Sequence, residues 1–351
     1  MVRQIKLALL RTLKTAGVFE IVANTKWRTQ RLLILCYHGI ALEDEHLWRP
    51  QLYMPPTTFE QRLKALRATR SSVLLLGEAL DRLQANDLPP RAVAVTFDDG
   101  TFDFYKQAFP LLQRYQIPAT VYQTTYYSDH EIPVFNLICS YMLWKRRGET
   151  LPPVPDLGLS NALDLRTEAG RHRVVRGLID LSERQQLSGI QKNRLAQDLA
   201  RVLKIDYQAL TNKRILQLMN AREVAEIARA GIDLQLHTHR HRTPEEETSF
   251  RREIVDNRQR IYSFTGKSPA HFCYPSGVYR KEFFPWLATE GVLSATTCDA
   301  GLVGRQDNPL LLPRFVDTSR RTQAEFESWL SGIGSLIAVN KLSPQRYVPV
   351  E

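Results

Sequence analysis

No run in the 351-residue chain approaches the roughly 18 apolar residues a membrane-spanning helix needs, so spanning topologies are not expected. The best apolar run near the N-terminus, Leu7 to Leu10, is interrupted by Arg11 and Lys14. It falls short of the roughly 7–15 apolar residues of a secretory signal, and the expectation is a cytoplasmic protein. Cysteine is scarce. Cys36, Cys139, Cys273 and Cys298 lie far apart with no CxxC pair, which disfavours a cysteine-held structural zinc and demands no disulfide framework. Cys36 and Cys273 sit in apolar contexts, where a free thiol behaves as a small hydrophobe. Free thiols suit a reducing compartment, although four cysteines also suffice for two bridges. Internal repeats of fixed period and a Walker-type phosphate loop are both missing. What remains is 43% hydrophobic and 24% charged, a globular balance that excludes a mainly disordered or fibrous chain. The length predicts two domains of about 150 residues, or one barrel-sized domain with insertions.

The net charge of +10 is unevenly spread. Residues 1–31 hold Arg3, Lys6, Arg11, Lys14, Lys26, Arg28 and Arg31 against Glu20 alone, so most of the excess is there. A uniformly basic nucleic-acid-binding surface is a poor reading, and no recognised binding motif appears; a basic arm over residues 1–30 is a better one. In that arm Ile5, Leu9, Leu10, Leu13, Val18 and Ile21 fit an amphipathic helix. Such a helix either docks on the body or makes peripheral contact with an anionic membrane face, because an apolar stripe and basic charge occur together.

Residues 32–37 (LLILCY) read as a buried strand ending at His38-Gly39. Residues 93–97 (VAVTF) form the clearest strand, followed directly by Asp98-Asp99-Gly100. Helices are expected over 59–70, 104–115, 222–230 and 323–330, and strands over 72–76, 119–122, 232–236, 270–274, 293–297 and 310–315, with Pro313 limiting the last. This alternation predicts a parallel α/β sheet or barrel. Residues 130–220 differ: a proline-rich loop at 151–155 precedes an Arg/Gln/Leu-rich stretch of helical period, which reads as a helical insertion in a body spanning 31–340.

Three expected strand ends carry polar residues that a core would not choose. Adjacent Asp98 and Asp99 repel each other unless a cation neutralises one, although an Asp-Gly turn is the ordinary alternative. His237 and His241 share a face if 237–241 is helical; if the segment is extended, His239 joins them as a rival ligand. Paired imidazoles with a carboxylate suit zinc or a similar divalent ion. His38 alone is a weak signal. In a barrel all parallel strands end at one face, so these residues can converge there, with metal positions left open as in a catalytic site. The spare carboxylate then serves as general base and a spare histidine as general acid.

At these residues the sequence resembles the polysaccharide deacetylase family, also called the NodB-homology or carbohydrate esterase family 4 group. Thr96–Gly100 matches its TFDDG motif in full, and His237-Thr238-His239-Arg240-His241 matches its H-[S/T]-x-x-H motif. The resemblance covers about residues 31–330, with 130–220 outside the common core. It implies a distorted (β/α) barrel and metal-dependent removal of N-acetyl groups from an amino-sugar saccharide, in surface or exopolysaccharide biosynthesis. Asp98 is then the general base, and Asp99, His237 and His241 hold a divalent ion: zinc, with cobalt, nickel or manganese as alternatives. His239 falls at a variable position. The third motif, R-x-P-Y-G, is altered to Cys273-Tyr274-Pro275-Ser276-Gly277, whose Ser276 backbone N–H is assigned to the oxyanion. Cys273 cannot form the ion pair of the usual motif arginine, and Arg314 is the expected substitute. The family's C-terminal Leu-x-His acid is absent, since no histidine follows His271. Some relatives carry that strand at the N-terminal side, and Leu35-Cys36-Tyr37-His38 resembles it, which makes His38 the candidate acid.

The substrate expected of a cytoplasmic member is a lipid-linked saccharide at the inner membrane face or a soluble sugar precursor, and the basic arm favours the first. A second reading is a non-catalytic carbohydrate binder on the same fold, motivated by the two altered motifs. Retention of Asp98, which is no metal ligand, argues against it. A phosphotransfer hydrolase with Asp98 as nucleophile would need a D-x-D pattern, and this chain has adjacent aspartates.

Overall fold

A computed structural model describes residues 2–337. The expected end of the body at 340 lies outside the described residues. Eight parallel strands form one sheet: β1 (Leu33–Tyr37), β2 (Ser72–Leu74), β3 (Ala92–Phe97), β4 (Thr120–Gln123), β5 (Asp233–Leu236), β6 (His271–Cys273), β7 (Ser294–Thr296) and β8 (Phe315–Val316). Their order is β7-β6-β5-β4-β3-β1-β8, with β2 on β3 beside β4. The last segment touches both ends of this path. Leu312 bridges Thr296 of β7, while Phe315 and Val316 pair with Leu35 and Cys36 of β1. The sheet is thereby curled into a distorted (β/α) barrel. Of the expected strand 310–315 only Phe315, joined by its neighbour Val316, forms regular β8, because Pro313 has no N–H to donate.

Strand parity sorts the core. Leu33, Leu35 and Tyr37 of β1 and Val93, Val95 and Phe97 of β3 belong to the apolar layer between sheet and helices, with Phe59, Leu63, Phe104 and Phe250. The alternate residues Ile34, Ala92, Ala94, Tyr122 and Cys273 form a second cluster inside the barrel. Side chains alternate across a strand with period two. Continuing the inward register past the strand ends puts His38, Asp98 and His237 at the barrel mouth.

Over the expected helix 104–115, a π turn (Phe104–Ala108) precedes an α-helix (Phe109–Arg114). Pro110 accounts for the break, since it cannot donate to the carbonyl one turn earlier. Residues 130–220 contain α-helices at Phe135–Lys145, Glu168–Arg184, Gly189–Val202 and Tyr207–Asn212, and a short ribbon pairing Thr150–Leu151 with Leu163–Asp164. Ile138, Met142, Leu178, Leu195 and Leu199 give this region its own apolar cluster.

The N-terminal stripe is divided. In α1 (Val2–Thr15) and α2 (Val18–Ala23), Leu10 and Phe19 are buried against Ile333, with Leu13 and Val18 packed beside them. Ile5, Leu9 and Ile21 face outward, 46–67% exposed. No described helix is long and apolar enough to cross a membrane.

Candidate active site

Asp98 follows β3 and is buried. Arg314 reaches it with both terminal nitrogens: Nη1 donates to Oδ1 at 2.7 Å and Nη2 to Oδ2 at 2.8 Å. The guanidinium is fully buried and further fixed, with Nε donating to the Thr297 carbonyl at 2.9 Å. Two thiols complete the surroundings of Asp98 Oδ2, Cys36 Sγ at 3.6 Å and Cys273 Sγ at 3.5 Å. Burial pushes both thiols well above the usual thiol range. They are therefore neutral weak donors to the carboxylate. Burial alone would raise the Asp98 pKa, but Arg314 overrides it and holds the carboxyl well below its ordinary range. His38 Nε2 lies 3.7 Å from Asp98 Oδ2 and keeps some solvent contact. All four cysteines are free.

Asp99 points away from Arg314. Its φ of 71° is in the left-handed region, as is Gly100 at 74°. At Gly100 a Cβ would also meet the Gln123 side chain at 2.1 Å, so glycine is required there. This turn carries Asp99 Oδ1 to 3.3 Å from His237 Nε2 and 3.3 Å from His241 Nε2. Burial works against ionised Asp99, but the two imidazoles hold its carboxyl well below the usual range. Burial likewise opposes protonation of His241, and Asp99 outweighs it, raising the His241 pKa.

The histidine segment is neither the helical turn nor the extended strand expected. Thr238 and His241 both have positive φ, at 59° and 57°, and the resulting irregular loop brings His237 and His241 rings to 5.0 Å. His239 turns away: its Nδ1 meets Thr125 Oγ1 at 2.8 Å, and its ring packs on Tyr126. His237 Nδ1 meets the Cys273 carbonyl at 2.9 Å, which fixes that nitrogen as a donor and aims Nε2 at Asp99, where its lone pair would meet a bound cation. One carboxylate oxygen and two imidazole nitrogens of Asp99, His237 and His241 lie within 4.8 Å of one another. This donor set, with its outer hydrogen bond in place, fits a zinc-like divalent ion.

The altered third motif forms a tight turn at Pro275–Gly277, with exposed Ser276 at φ 56°. Tyr274 is buried in the outer layer and its hydroxyl donates to the Leu310 carbonyl at 3.0 Å. Its side chain thus braces the turn from behind.

Two buried residues gave no motif signal. Asn257, in the helix Glu247–Thr265, accepts from the His237 N–H at 3.0 Å and donates to the Gln123 carbonyl at 2.9 Å. Asp103 accepts from the Ile40 N–H at 2.9 Å and from Thr101 at 2.9 Å, which ties down the loop after His38. Gly39 in that loop has no room for a side chain, since a Cβ would lie 2.2 Å from the Tyr53 ring.

The profile of the polysaccharide deacetylase family matches residues 85–150 and 203–292, passing over much of the helical region. Over those two segments, which make up under half of its length, the chain is similar to the polysaccharide deacetylase family. It is 33% identical over 93 residues to YxkH of Bacillus subtilis, named as a polysaccharide deacetylase, covering 26% of this chain and 31% of that one. Over 62 residues it is 37% identical to the poly-β-1,6-N-acetyl-D-glucosamine N-deacetylase of Staphylococcus aureus, covering 18% of this chain and 21% of that one. The chain thus spans under a third of the length of these relatives. In fold it is similar to the deacetylase PplD of Streptococcus pyogenes, solved with acetate, at a TM-score of 0.54 and 18% identity over 83% of this chain and 93% of that one. It is similarly close to IcaB from Ammonifex degensii, at 0.53 and 17% over 86% and 97%.

Proposed function

We propose that the protein is a metal-dependent hydrolase that removes N-acetyl groups from an amino-sugar-containing saccharide in surface or exopolysaccharide biosynthesis. The observation that carries this reading is the division of the adjacent aspartates: Asp98 is gripped by Arg314, while Asp99 faces His237 and His241. Similarity to the polysaccharide deacetylase family supports it, as does the N-deacetylase activity for which the Staphylococcus aureus relative is named.

When bound by Asp99, His237 and His241, a divalent ion supplies Lewis-acid polarisation of the acetamide oxygen. Asp98, kept ionised and fixed by Arg314, accepts the proton of the attacking water. The Ser276 backbone N–H donates to the oxygen on which charge develops, an interaction that strengthens toward the transition state. His38, beside Asp98, protonates the departing amine as general acid. Cys36 and Cys273 exclude water from the rear of Asp98, so that its interaction with Arg314 is not screened.

The proposed place of work is the cytoplasmic membrane face, on a saccharide that is lipid-linked. Outward-facing Ile5, Leu9 and Ile21 on a basic segment support a peripheral contact, and the four free thiols suit a reducing compartment.

The test is metal content of the purified protein beside acetate release, for wild type, His237→Ala and Asp98→Asn. The expected result is near one ion per chain, lost in His237→Ala and kept in Asp98→Asn, with both variants inactive. A wild type that takes up neither zinc nor cobalt would favour the non-catalytic binder instead.

A further inference from the structure

Within residues 130–220 lies an open cavity of about 350 Å³, within the usual range for a small-molecule site. It is lined by Asn193, Gln197, Tyr207, Gln208, Thr211 and Gln217 among others, and most of its surface is polar. Its chemistry excludes several ligand classes. Arg214 is the one cation of the lining, and its guanidinium is committed: Nε donates to Gln217 at 3.1 Å, Nη1 to Glu223 and Nη2 to the Leu218 carbonyl at 2.8 Å. Its face rests 4.0 Å from the Phe102 ring centroid. That leaves no free charge for a phosphate or carboxylate, and Glu131 on the rim would repel one. Among the described residues, no metal-ligating group includes a residue of this lining. What remains are amides and hydroxyls: Tyr207 donates to Asn193 at 2.5 Å, Gln208 to Asn212 at 2.7 Å and Thr211 to the Gln208 carbonyl at 3.1 Å, which leaves the Asn193 amide N–H and the Gln208 amide oxygen to a ligand, with Gln197 and the apolar faces of Ile132, Pro133 and Tyr207 beside them. A neutral pyranose has this complement, with hydroxyls at its edge and C–H groups on its faces.

The position matters as much as the chemistry. Gln217 is buried, and its carbonyl accepts from the Phe102 N–H at 2.8 Å; the Met219 N–H donates to the Gly100 carbonyl at 3.0 Å. Leu218 bridges Thr101 between them. The cavity wall is therefore stitched to the loop that carries Asp99. Its other wall, Glu131 to Pro133, continues the chain from Thr125 and Tyr126, whose N–H groups both donate to the His239 carbonyl. Both walls thus grow from loops of the metal-ligand face.

We infer that this cavity is a saccharide subsite, remote from the acetamide that reacts, which holds another sugar unit of the same chain. The inference rests on the deacetylase reading for its substrate and on the cavity alone for its location. It makes the helical region a determinant of substrate length.

The test uses β-1,6-linked N-acetylglucosamine disaccharide and hexasaccharide with the full chain, comparing wild type with Gln197→Ala/Gln208→Ala. Both positions are exposed on the cavity rim, so folding is not at stake. In wild type kcat/KM for acetate release is expected to favour the hexasaccharide by about tenfold, and in the double variant the ratio should fall toward one. An equal ratio in both proteins, or no preference in wild type, overturns the subsite while leaving the deacetylase standing. If wild type releases no acetate from either sugar, the activity reading fails instead, and calorimetric titration with the hexasaccharide decides the subsite. Binding weakened in the double variant supports it, and equal or absent binding overturns it.

Discussion

Arg314 and Asp98, 216 residues apart, form a buried bidentate ion pair that stands where the family motif would place an arginine at position 273. Cys273 Sγ lies 3.1 Å from Arg314 Nη2, so the two positions converge on one guanidinium site. The guanidinium beside Asp98 comes from the segment before β8, and position 273 at the end of β6 carries a thiol. Removing one member of a buried pair typically costs about 3–5 kcal/mol. Arg314→Ala is expected to lower the melting temperature and to cut kcat by at least about tenfold. Arg314→Lys should fail too, because a point charge cannot grip both oxygens. Adding Cys273→Arg to Arg314→Ala should restore part of the turnover, measured below the melting temperature of every variant. Unchanged turnover in Arg314→Ala would sink the assignment.

His38 and Asp98 meet because β1 and β3 are neighbours in register, with Tyr37 opposite Phe97. The chain after Tyr37 therefore delivers His38 beside the carboxylate end of β3. General-acid contributions are typically about 10²–10⁴-fold, and His38→Gln is expected to lose activity on that scale. Its metal content should equal that of wild type, since His38 is no part of the Asp99 group. Near-full activity would return the role of acid to another residue.

Much of this site was legible because strand parity and two short motifs are local properties. The run 93–97 followed by two aspartates placed Asp98 and Asp99 at a strand end, and the structure shows parity turning Asp98 inward. The His237–His241 geometry was not legible. Helical and extended segments were the only regular choices, and the observed loop depends on positive φ at Thr238 and His241, which sequence periodicity does not report. Asn257 was silent for another reason. It acts from the middle of a long helix, where a polar residue normally faces solvent, and only the packing of that helix on β5 turns it inward. The amphipathic arm posed a choice between docking and exposure, and the helix does both on different faces.

Asp103 links the His38 loop to a measurable pH dependence. Burial pushes its carboxyl up from the ordinary 3.8 to about 8, against the Ile40 N–H that lowers it, with Glu45 and Asp99 adding to the rise. A raised folded-state value means that the unfolded chain gives up this proton first. Below about pH 4 the group therefore contributes no pH-dependent cost; as pH rises from about 4 to 8 stability falls, and above that the penalty is complete. Asparagine retains an oxygen for the Ile40 N–H and does not ionise. Asp103→Asn should thus gain on wild type as pH rises through this window, by a few degrees in melting temperature. Parallel curves of melting temperature against pH for the two proteins would refute it.

The exposed face of α1 and α2 sets the last expectation. Ile5 and Leu9 are one helical turn apart and share a side, and Ile21 is 67% exposed nearby in sequence. Leu10, by contrast, is fully buried, so the outward apolar residues are not needed to hold the helix to the body. Exposed Arg3, Arg11 and Lys26 supply positive charge, each worth about 1 kcal/mol beside an anionic surface. Ile5→Ser/Leu9→Ser/Ile21→Ser should keep the fold and melting temperature. It should lose most binding to vesicles containing phosphatidylglycerol, and wild-type binding should weaken as salt rises. Retained binding in the triple variant would move the contact elsewhere on the molecule. A wild type that ignores anionic vesicles would remove the membrane from the proposal and leave a soluble saccharide as the substrate.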